Sequence, residues 1–304
     1  MRLTNLLATT LLLGLTHCAI AQIAAPQSPQ PKPDLLLFHP SGPLPSYEVA
    51  TVKPVDSNTV DRVVKLPPGF TLSPFSIRRY IMDAYGATYQ TQVVGGPDWL
   101  NKDPYNIKGE VPDDLEAAYQ KMTSDARHDQ DRSMQQSLLA DRFHLKAHFE
   151  TRVLPVYEIV PAKGGLKITE VPAPPERKPG DPPIPIGFHI GDQVPPGTIV
   201  TTMNSNGLFV YNARAIKMQW LARAISFSGA AEIGDRPIVD HTGFTGCFDI
   251  KDLAWAALNA NTADAPDAPS LIVALQEKLG LKLVRAKDPI KVLVIDSIDR
   301  PSPN

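Results

Sequence analysis

The feature that most constrains the fold is an internal repeat, because the second half of the chain follows the plan of the first. Residues 139–149 align without a gap with residues 275–285, at an offset of 136 (275 − 139). The alignment continues from 156–160 to 292–296 at the same offset. A repeated plan indicates two copies of one small module, which must be recognised before a fold is assigned. It predicts an architecture and names no reaction.

Hydrophobic periodicity predicts one order of elements in each copy: strand, helix, strand, strand, helix and a closing hairpin. The hairpins are expected to turn near Arg152 and at Asp288-Pro289. Ser270 is expected to cap the last helix and Gly280 to end it. Helices that alternate with hairpins favour an α+β fold, with mixed or antiparallel sheets and helices packed on one face.

Composition divides the chain into five segments. Residues 1–21 are typical of a signal peptide, and prolines dominate residues 22–46 and again 171–198. Such proline density favours an extended tether in the first case and a linker in the second. The two α+β modules are therefore predicted at 47–170 and 199–304.

The N-terminal segment predicts export. Arg2 precedes an apolar run over 6–15, and a small-x-small pattern ends at Ala21, where cleavage is expected. The run is shorter than the roughly 20 residues that a spanning helix needs. Two alternatives stay open: a buried N-terminal helix, and a lipoprotein anchored through Cys18, although His17 lies where a small residue is expected. The expected location is the periplasm or the outside of the cell.

Charge and cysteine content exclude some classes of partner and bond. The formal net charge of −2 comes without a basic stripe, so nucleic acid is not an expected partner. No second long apolar run occurs, so no stable membrane span is expected in the mature chain. After cleavage Cys247 would be the remaining cysteine, which cannot form an internal disulfide and is expected to be a buried thiol.

The familiar signatures of metal and cofactor sites are missing, and neither is expected. His144 and His148 have the spacing that binds zinc on a helix. Strict alternation of apolar and polar residues around them favours a strand instead, in which both would lie on a polar face. The glycines of residues 95–97 lack the spacing of a nucleotide-binding loop.

Asp240, His241 and Asp249 are the candidates for a catalytic group, because a histidine held by a carboxylate can act as a general base. No Gly-x-Ser-x-Gly elbow supplies a nucleophile. The favoured interpretation of residues 240–243 is a turn, so no catalytic residue is predicted.

Trp99 is the residue for which a ligand contact is predicted. It follows the sequence Gly-Gly-Pro-Asp at the edge of an expected sheet, where an exposed aromatic ring could contact a peptide or a glycan. The alternative is that its ring fills the space between sheet and helix.

Six motifs in a fixed order resemble a known family, and they span nearly all of the mature chain. They lie at residues 47–54, 95–99, 138–143, 154–157, 240–246 and 292–296. The family is a large group of exported bacterial proteins that is known as a domain of unknown function and is abundant in soil acidobacteria. Some relatives look fused to membrane peptidases of the antibiotic-sensor type, which implies an envelope role. A lysine is usual in the family where this chain has His241.

Together these observations predict a non-enzymatic module of the cell envelope that binds a peptide, protein or wall glycan. Strand addition at a sheet edge is one expected mode of binding. The alternative is a hydrolase with an unfamiliar active site that involves Asp240 and His241.

Overall fold

The chain folds as an α+β protein in which three sheets are combined with six helices over the described residues. The computed structural model describes residues 37–40, 42–55, 70–175, 178, 194–203, 208–226, 233–256 and 269–301. The strands are β1 (Val49–Pro54), β2 (Phe70–Ser76), β3 (Val93–Gly95), β4 (Pro104–Glu110), β5 (Lys146–Pro161), β6 (Glu170–Val171), β7 (Thr198–Met203), β8 (Leu208–Ile216), β9 (Ile238–Asp240), β10 (Cys247–Ala256) and β11 (Leu281–Ser297). The helices are α1 (Ile77–Ala84), α2 (Trp99–Lys102), α3 (Asp113–Lys121), α4 (Ser124–Phe143), α5 (Met218–Ser226) and α6 (Leu271–Ala274), with a 3₁₀ turn at Gln90–Gln92 and a π-helical stretch at Leu275–Leu279.

The predicted α+β class with mixed or antiparallel sheets is confirmed. Two sheets are antiparallel, with the strand orders β1-β4-β2 and β6-β10-β8-β7. The third has the order β3-β11-β5-β9 and is mixed. Its central strands, β5 and β11, are antiparallel, and the short edge strands β3 and β9 run parallel to their neighbours.

The two expected hairpin turns are wrong, because β5 and β11 are continuous strands. They pair with each other along their whole length, with Arg152 opposite Ile290 and Asp288 opposite Leu154. Each strand finds its hydrogen-bond partners in the other half of the chain and does not fold back on itself. Local turn formers such as Pro289 are therefore outweighed by a long-range ladder.

The register of this ladder is unchanged when the two halves are exchanged. Ala147 pairs with Ile295, and Leu283 pairs with Ile159. Adding the repeat offset of 136 to Ala147 gives Leu283, and adding it to Ile159 gives Ile295. The pairing of the two central strands therefore has an approximate twofold symmetry.

The edge strands follow the same symmetry. Val93 of β3 pairs with Leu293 of β11, and Ile238 of β9 pairs with Tyr157 of β5. Tyr157 and Leu293 are again 136 residues apart. Each half thus adds a short strand to the long strand of the other half. The descent of both halves from one copied module stays a prediction.

Two large hydrophobic clusters form the core, and each takes residues from both halves. The cluster built mainly from the first half includes Leu293, Ile295 and Ile298 of the second. The cluster built mainly from the second half includes Tyr157 and Ile159 of the first. The long strands therefore complete each other's cores, and burial of their apolar faces binds the halves together.

The predicted ends of the last helix are confirmed. The Ser270 hydroxyl accepts a hydrogen bond from the backbone N–H of Val273 at 3.3 Å, and Gly280 ends the helical region with a φ of 70°. A Cβ at Gly280 would lie 2.0 Å from the Gly165 carbonyl oxygen, so the close approach requires glycine. His144 lies 136 residues earlier, and its backbone also has the left-handed conformation and ends α4.

The predicted signal peptide, Cys18 and most of the predicted tether lie outside the described residues. Within the last part of the tether, Leu37 is buried in the first-half cluster. The neighbouring Phe38 N–H donates to the Tyr85 carbonyl oxygen at 2.7 Å. Among the described residues no helix is both long and apolar enough to span a membrane. The predicted module boundaries stay predictions.

Candidate functional site

Helix α5 carries a large aromatic side chain on its outer face. Met218, Leu221 and Ile225 form the buried face that packs into the second-half core. This face leaves Trp220 outside, and its side chain is 49% exposed. Arg223 lies three residues later, a spacing that makes two side chains neighbours on a helix surface. Its guanidinium carbon lies 5.6 Å from the centre of the Trp220 ring, within cation–π range.

Trp220 lines an open cleft of about 610 Å³ between the two halves, here called the Trp220 cleft. Its walls come from α1 and α4 of the first half and from α5 of the second. The volume lies within the range of clefts that hold small ligands. The polar and aromatic residues that line the cleft are Arg79, Asp83, Asp125, His128, Asp129, Asp131, Arg132, Gln135, Trp220 and Arg223.

Two of the three arginines in the cleft are paired with carboxylates. The Arg79 Nε lies 3.2 Å from Asp83 Oδ1, and the Arg132 Nη1 lies 3.2 Å from Asp129 Oδ1. Burial raises the pKa of Asp83, while the positive charge of Arg79 opposes this shift. The first-half walls also carry the carboxylates of Asp125 and Asp131, so they hold four carboxylates against two guanidiniums.

Arg223 differs from the other two arginines, since it forms no ion pair with a carboxylate of the described residues. Burial lowers the pKa of Arg223, and the positive charge of Arg132 nearby lowers it further. The guanidinium therefore has lost part of its hydration without gaining a counter-ion. An anion bound beside it would supply that missing partner.

Gln135 lies in the wall of the same cleft, but its amide oxygen faces the protein interior. Its Oε1 atom is buried and has no hydrogen-bond partner among the described residues. The carboxylate of Asp131, deeper in the wall, accepts a hydrogen bond from the Tyr119 hydroxyl at 2.7 Å. A buried acceptor without a partner costs free energy, but the Gln135 oxygen is closed off from the open space of the cleft, so a ligand there does not reach it.

Trp99, the predicted ligand contact, lies on α2 and does not line the Trp220 cleft. Its ring is half-buried against the first-half cluster. The Arg300 guanidinium carbon lies 5.1 Å from the ring centre, and the Tyr105 ring packs edge-on at 6.4 Å. The role of Trp99 in binding stays a prediction.

The structure does not bring the side chains of Asp240, His241 and Asp249 together. Asp240 Oδ1 accepts hydrogen bonds from the Thr242 N–H at 2.9 Å and from its hydroxyl at 2.7 Å, as in an Asx turn. The His241 ring instead faces two other carboxylates. Its Nε2 lies 3.3 Å from Asp288 Oδ2, and its Nδ1 lies 3.8 Å from Glu158 Oε1.

Asp249 has a local structural contact at a second, smaller cleft of about 360 Å³. Its Oδ1 accepts a hydrogen bond from the Ala215 N–H at 2.8 Å. Ala215 has a φ of 51°, which is unusual for a residue with a Cβ. The Asp249 carboxylate therefore holds a strained backbone position where β8 and β10 are out of regular register.

The two histidines with zinc spacing do not converge on one point. His144 Nδ1 lies 3.2 Å from Asp299, whereas His148 Nδ1 lies 2.9 Å from Asp296 and its Nε2 lies 3.1 Å from Glu150. Among the described residues no three metal-ligating side chains are grouped as a metal site requires. Cys247 is a buried free thiol, as the alternation around it predicts.

Sequence reasoning missed Trp220 and Arg223, although one signal pointed to them. The apolar face of the helix over 218–226 is already complete without Trp220, so its large ring must lie on the outer face. A large exposed aromatic residue next to a cation is typical of a contact surface. The walls that complete the cleft come from the distant segments 79–87 and 125–135, which the sequence does not place nearby.

These features define an α+β protein with an open, ligand-sized cleft where its two halves meet. The chain belongs to the family described as "Protein of unknown function (DUF3738)", whose model matches residues 78–298. Searches of curated proteins and of solved structures each found no match. The resemblance to a family of unknown function is thereby confirmed, and the family description names no ligand.

Proposed function

We propose that this chain is a non-enzymatic binding module of the cell envelope, and that the Trp220 cleft holds its peptide, protein or wall ligand. One observation carries the proposal: a half-exposed Trp220 beside Arg223, a cation with no carboxylate partner among the described residues, in a cleft of ligand size. Aromatic and arginine side chains dominate binding energy in protein contact sites.

The envelope part of the proposal rests on the N-terminal sequence. A leader over 1–21 with cleavage after Ala21 would place the mature chain in the periplasm or outside the cell. Mass spectrometry of the protein recovered from its native host tests this directly. A mature N-terminus at Gln22 supports export, and an intact Met1 on all of the recovered protein would contradict it.

Binding is tested with two pools of defined origin: an enzymatic digest of bacterial wall and a library of short peptides. Both are titrated into the full chain, and the melting temperature and the heat of binding are measured. The Trp220→Ala variant is expected to bind at least tenfold more weakly, because the packing of the ligand against the indole ring is lost. Its stability should change by less than about 0.5 kcal/mol, since the side chain lies at the surface.

Val153→Ala is the matched control, since Val153 is 67% exposed on β5 and does not line the cleft. It should bind either pool as the parent chain does. The proposal fails if neither pool binds, or if Trp220→Ala binds as tightly as the parent.

A hydrolase remains the second candidate, and one contact favours it. His241 is one-third exposed and lies between the carboxylates of Asp288 and Glu158, so a carboxylate does orient its ring. In this arrangement Asp288 takes the role that was expected of Asp240. A screen of ester, amide and glycoside substrates with the parent and His241→Ala tests it. Activity that persists in His241→Ala would remove this candidate.

A further inference from the structure

We infer that the middle of the long ribbon formed by β5 and β11 binds an acidic, extended peptide segment of a partner protein. The binding surface, here called the basic face, consists of three pairs of residues that lie opposite each other on the two strands: Thr151 and Lys291, Val153 and Pro289, and Pro155 and Lys287. Residues that are directly opposite share one side of a sheet. None of the six lines the Trp220 cleft, so the inference goes beyond the proposed function.

The basic face is open because it lies between the two cores. On the same side of the ribbon, Phe149 and Leu293 pack with the first-half cluster at one end, and Tyr157 packs in the second-half cluster at the other. The stretch between them is left uncovered, since Val153 is 67% exposed and Lys287 is exposed as well. A partner can therefore reach this surface without displacing a core residue.

Charge is divided between the two sides of the ribbon. Side chains alternate along a strand, and all carboxylates of β5 and β11 lie on the side opposite the basic face. They are those of Glu150, Glu158, Asp288 and Asp296, which lie 2.9–3.8 Å from histidine nitrogens. The two strands therefore give the basic face two lysines, Lys287 and Lys291, and no carboxylate.

Two arginines extend the positive charge towards the second-half end. Arg285 lies two residues before Lys287 on the same side, and its Nε donates to the Tyr157 hydroxyl at 3.4 Å. The Arg236 guanidinium carbon lies 5.7 Å from the centre of the Tyr157 ring. Neither the arginines nor the two lysines form an ion pair with a carboxylate of the described residues. An anionic partner would supply the missing counter-charge.

The repeated fold does not require these lysines. Adding the repeat offset of 136 to Thr151 gives Lys287, and adding it to Pro155 gives Lys291. The first half therefore has a hydroxyl and a proline ring where the second half has two ammonium groups, although the strand pairing is the same for both halves. A structural role in the ladder thus does not account for the two charges.

The spacing of the cations favours an extended peptide. Lys287 lies two residues after Arg285, and Lys291 lies four residues further, which is about 7 Å and then about 14 Å at roughly 3.4 Å per residue. Carboxylates at positions 1, 3 and 7 of an extended peptide have the same spacing. Position 5 of such a peptide faces Pro289, where an apolar side chain fits.

The aromatic rings that border the basic face favour a peptide over a glycan. The negative face of an aromatic ring attracts the C–H groups of a sugar when that face is open. A cation already lies over each of the two rings: Lys291 Nζ is 5.2 Å from the centre of Phe149, and Arg236 lies over Tyr157. Neither ring therefore offers a free surface to a sugar.

The experiment uses the full chain and the fluorescence anisotropy of a labelled probe, acetyl-Glu-Ser-Glu-Ser-Val-Ser-Glu-amide. A comparison peptide has glutamine in place of each glutamate. The acidic peptide is expected to bind roughly tenfold more tightly or better, because glutamine cannot form charge-assisted hydrogen bonds with the lysines. Its affinity should fall as the salt concentration rises from about 0.05 M to about 0.5 M, since the basic face is exposed.

Variants locate the contact. Lys287→Gln, at an exposed position that folding does not need, is expected to weaken binding about threefold, the effect of one exposed ion pair. Lys287→Gln combined with Lys291→Gln is expected to weaken it about tenfold. Lys282→Gln is the matched control, since Lys282 is an exposed lysine on the opposite side of the same strand, and it should bind the probe as the parent does.

Equal affinity for the acidic and the glutamine peptide, unchanged affinity in the double variant, or an equal loss in Lys282→Gln each overturns the inference. Trigalacturonate carries as many carboxylates as the probe, and tighter binding of this glycan at the same lysines would also overturn it. Trp220→Ala should bind the acidic peptide as the parent does. The proposed function depends on Trp220, so its failure and the failure of this inference are distinguishable.

Discussion

The phenol oxygen of Tyr89 accepts a hydrogen bond from the backbone N–H of Ile238 at 2.7 Å, so a side chain of the first half caps an edge strand of the second. The hydroxyl also bonds to Ser226 of α5, which in turn donates to the Ala222 carbonyl oxygen at 2.8 Å. Tyr89 therefore joins β9 and α5 of the second half. Together with the shared ladder of β5 and β11, this contact interlocks the two halves.

Tyr89→Phe is expected to destabilise the protein by about 1–3 kcal/mol, because the buried N–H of Ile238 would lose its acceptor. The measurement is urea unfolding followed by circular dichroism. Tyr85→Phe is the matched control, since Tyr85 is half-buried and its hydroxyl forms no hydrogen bond to a described residue. Equal stability of the two variants would show that the capping bond contributes nothing.

Ile159 and Ile295 occupy equivalent positions on β5 and β11. The substitutions Ile159→Ala and Ile295→Ala are each expected to lower the free energy of unfolding by about 2–5 kcal/mol, because apolar burial is lost and a cavity is left. Each residue lies in the core of the opposite half, so either change should weaken both halves at once. The expected result is a single transition when unfolding is followed by both tryptophan fluorescence and circular dichroism.

Val153→Ala, at an exposed position of β5, should change stability by less than about 0.5 kcal/mol and serves as the control for this pair. Two separate transitions in Ile295→Ala, with the second half unfolding as in the parent, would contradict the shared ladder.

Arg78→Lys is expected to destabilise the fold by about 1 kcal/mol, since a lysine cannot reproduce three directed donors. The Arg78 guanidinium donates to the Val93 and Gly95 carbonyl oxygens and to Asn101 Oδ1, each at 2.8 Å. These bonds hold the end of β3 and the turn after it. Thermal unfolding measures the change.

Arg79→Lys provides a comparison on the same helix, because Arg79 lies at the surface and its ion pair with Asp83 is partly exposed. If Arg78→Lys and Arg79→Lys have the same melting temperature, the Arg78 hydrogen bonds do not stabilise the end of β3.

The pKa of His148 is expected above its ordinary value of 6.5, because hydrogen bonds to Asp296 and then to Glu150 favour the charged ring. A folded-state pKa raised above the unfolded value contributes stability that is fully present below about pH 6.5. That contribution is lost as the pH rises through the folded pKa. NMR titration of the ring protons measures the shift.

Asp296→Asn should move the pKa of His148 down towards its ordinary value, while Asp299→Asn, next to His144, should leave the titration of His148 unchanged. An identical midpoint for His148 in the parent and in Asp296→Asn would refute the assigned cause.

Several local features could be predicted from the sequence because nearby residues decide them. The Ser270 cap and the Gly280 helix end depend on side chains and backbone angles within one or two turns. The α+β class followed from the spacing of apolar residues. The predictions of turns at Arg152 and Asp288-Pro289 were wrong, because pairing with a strand of the other half outweighed the local preference of these residues for a turn.

The candidate site could not be predicted as a whole. Periodicity places Trp220 on the outer face of α5, yet the sequence does not show that α1 and α4 lie beside it. The same limit applies to His241, whose ring lies against Asp288 and not against its neighbour Asp240.

The sequence by itself determined the α+β class, the caps of the last helix and the family, because these depend on residue types at short or regular spacing. Only the tertiary structure decided that the long strands pair with each other, that each completes the opposite core, and that a cleft forms between the halves. The physical reason is that ladders and clefts depend on which distant surfaces meet. That choice is made by the total apolar area buried, and no single segment contains that information.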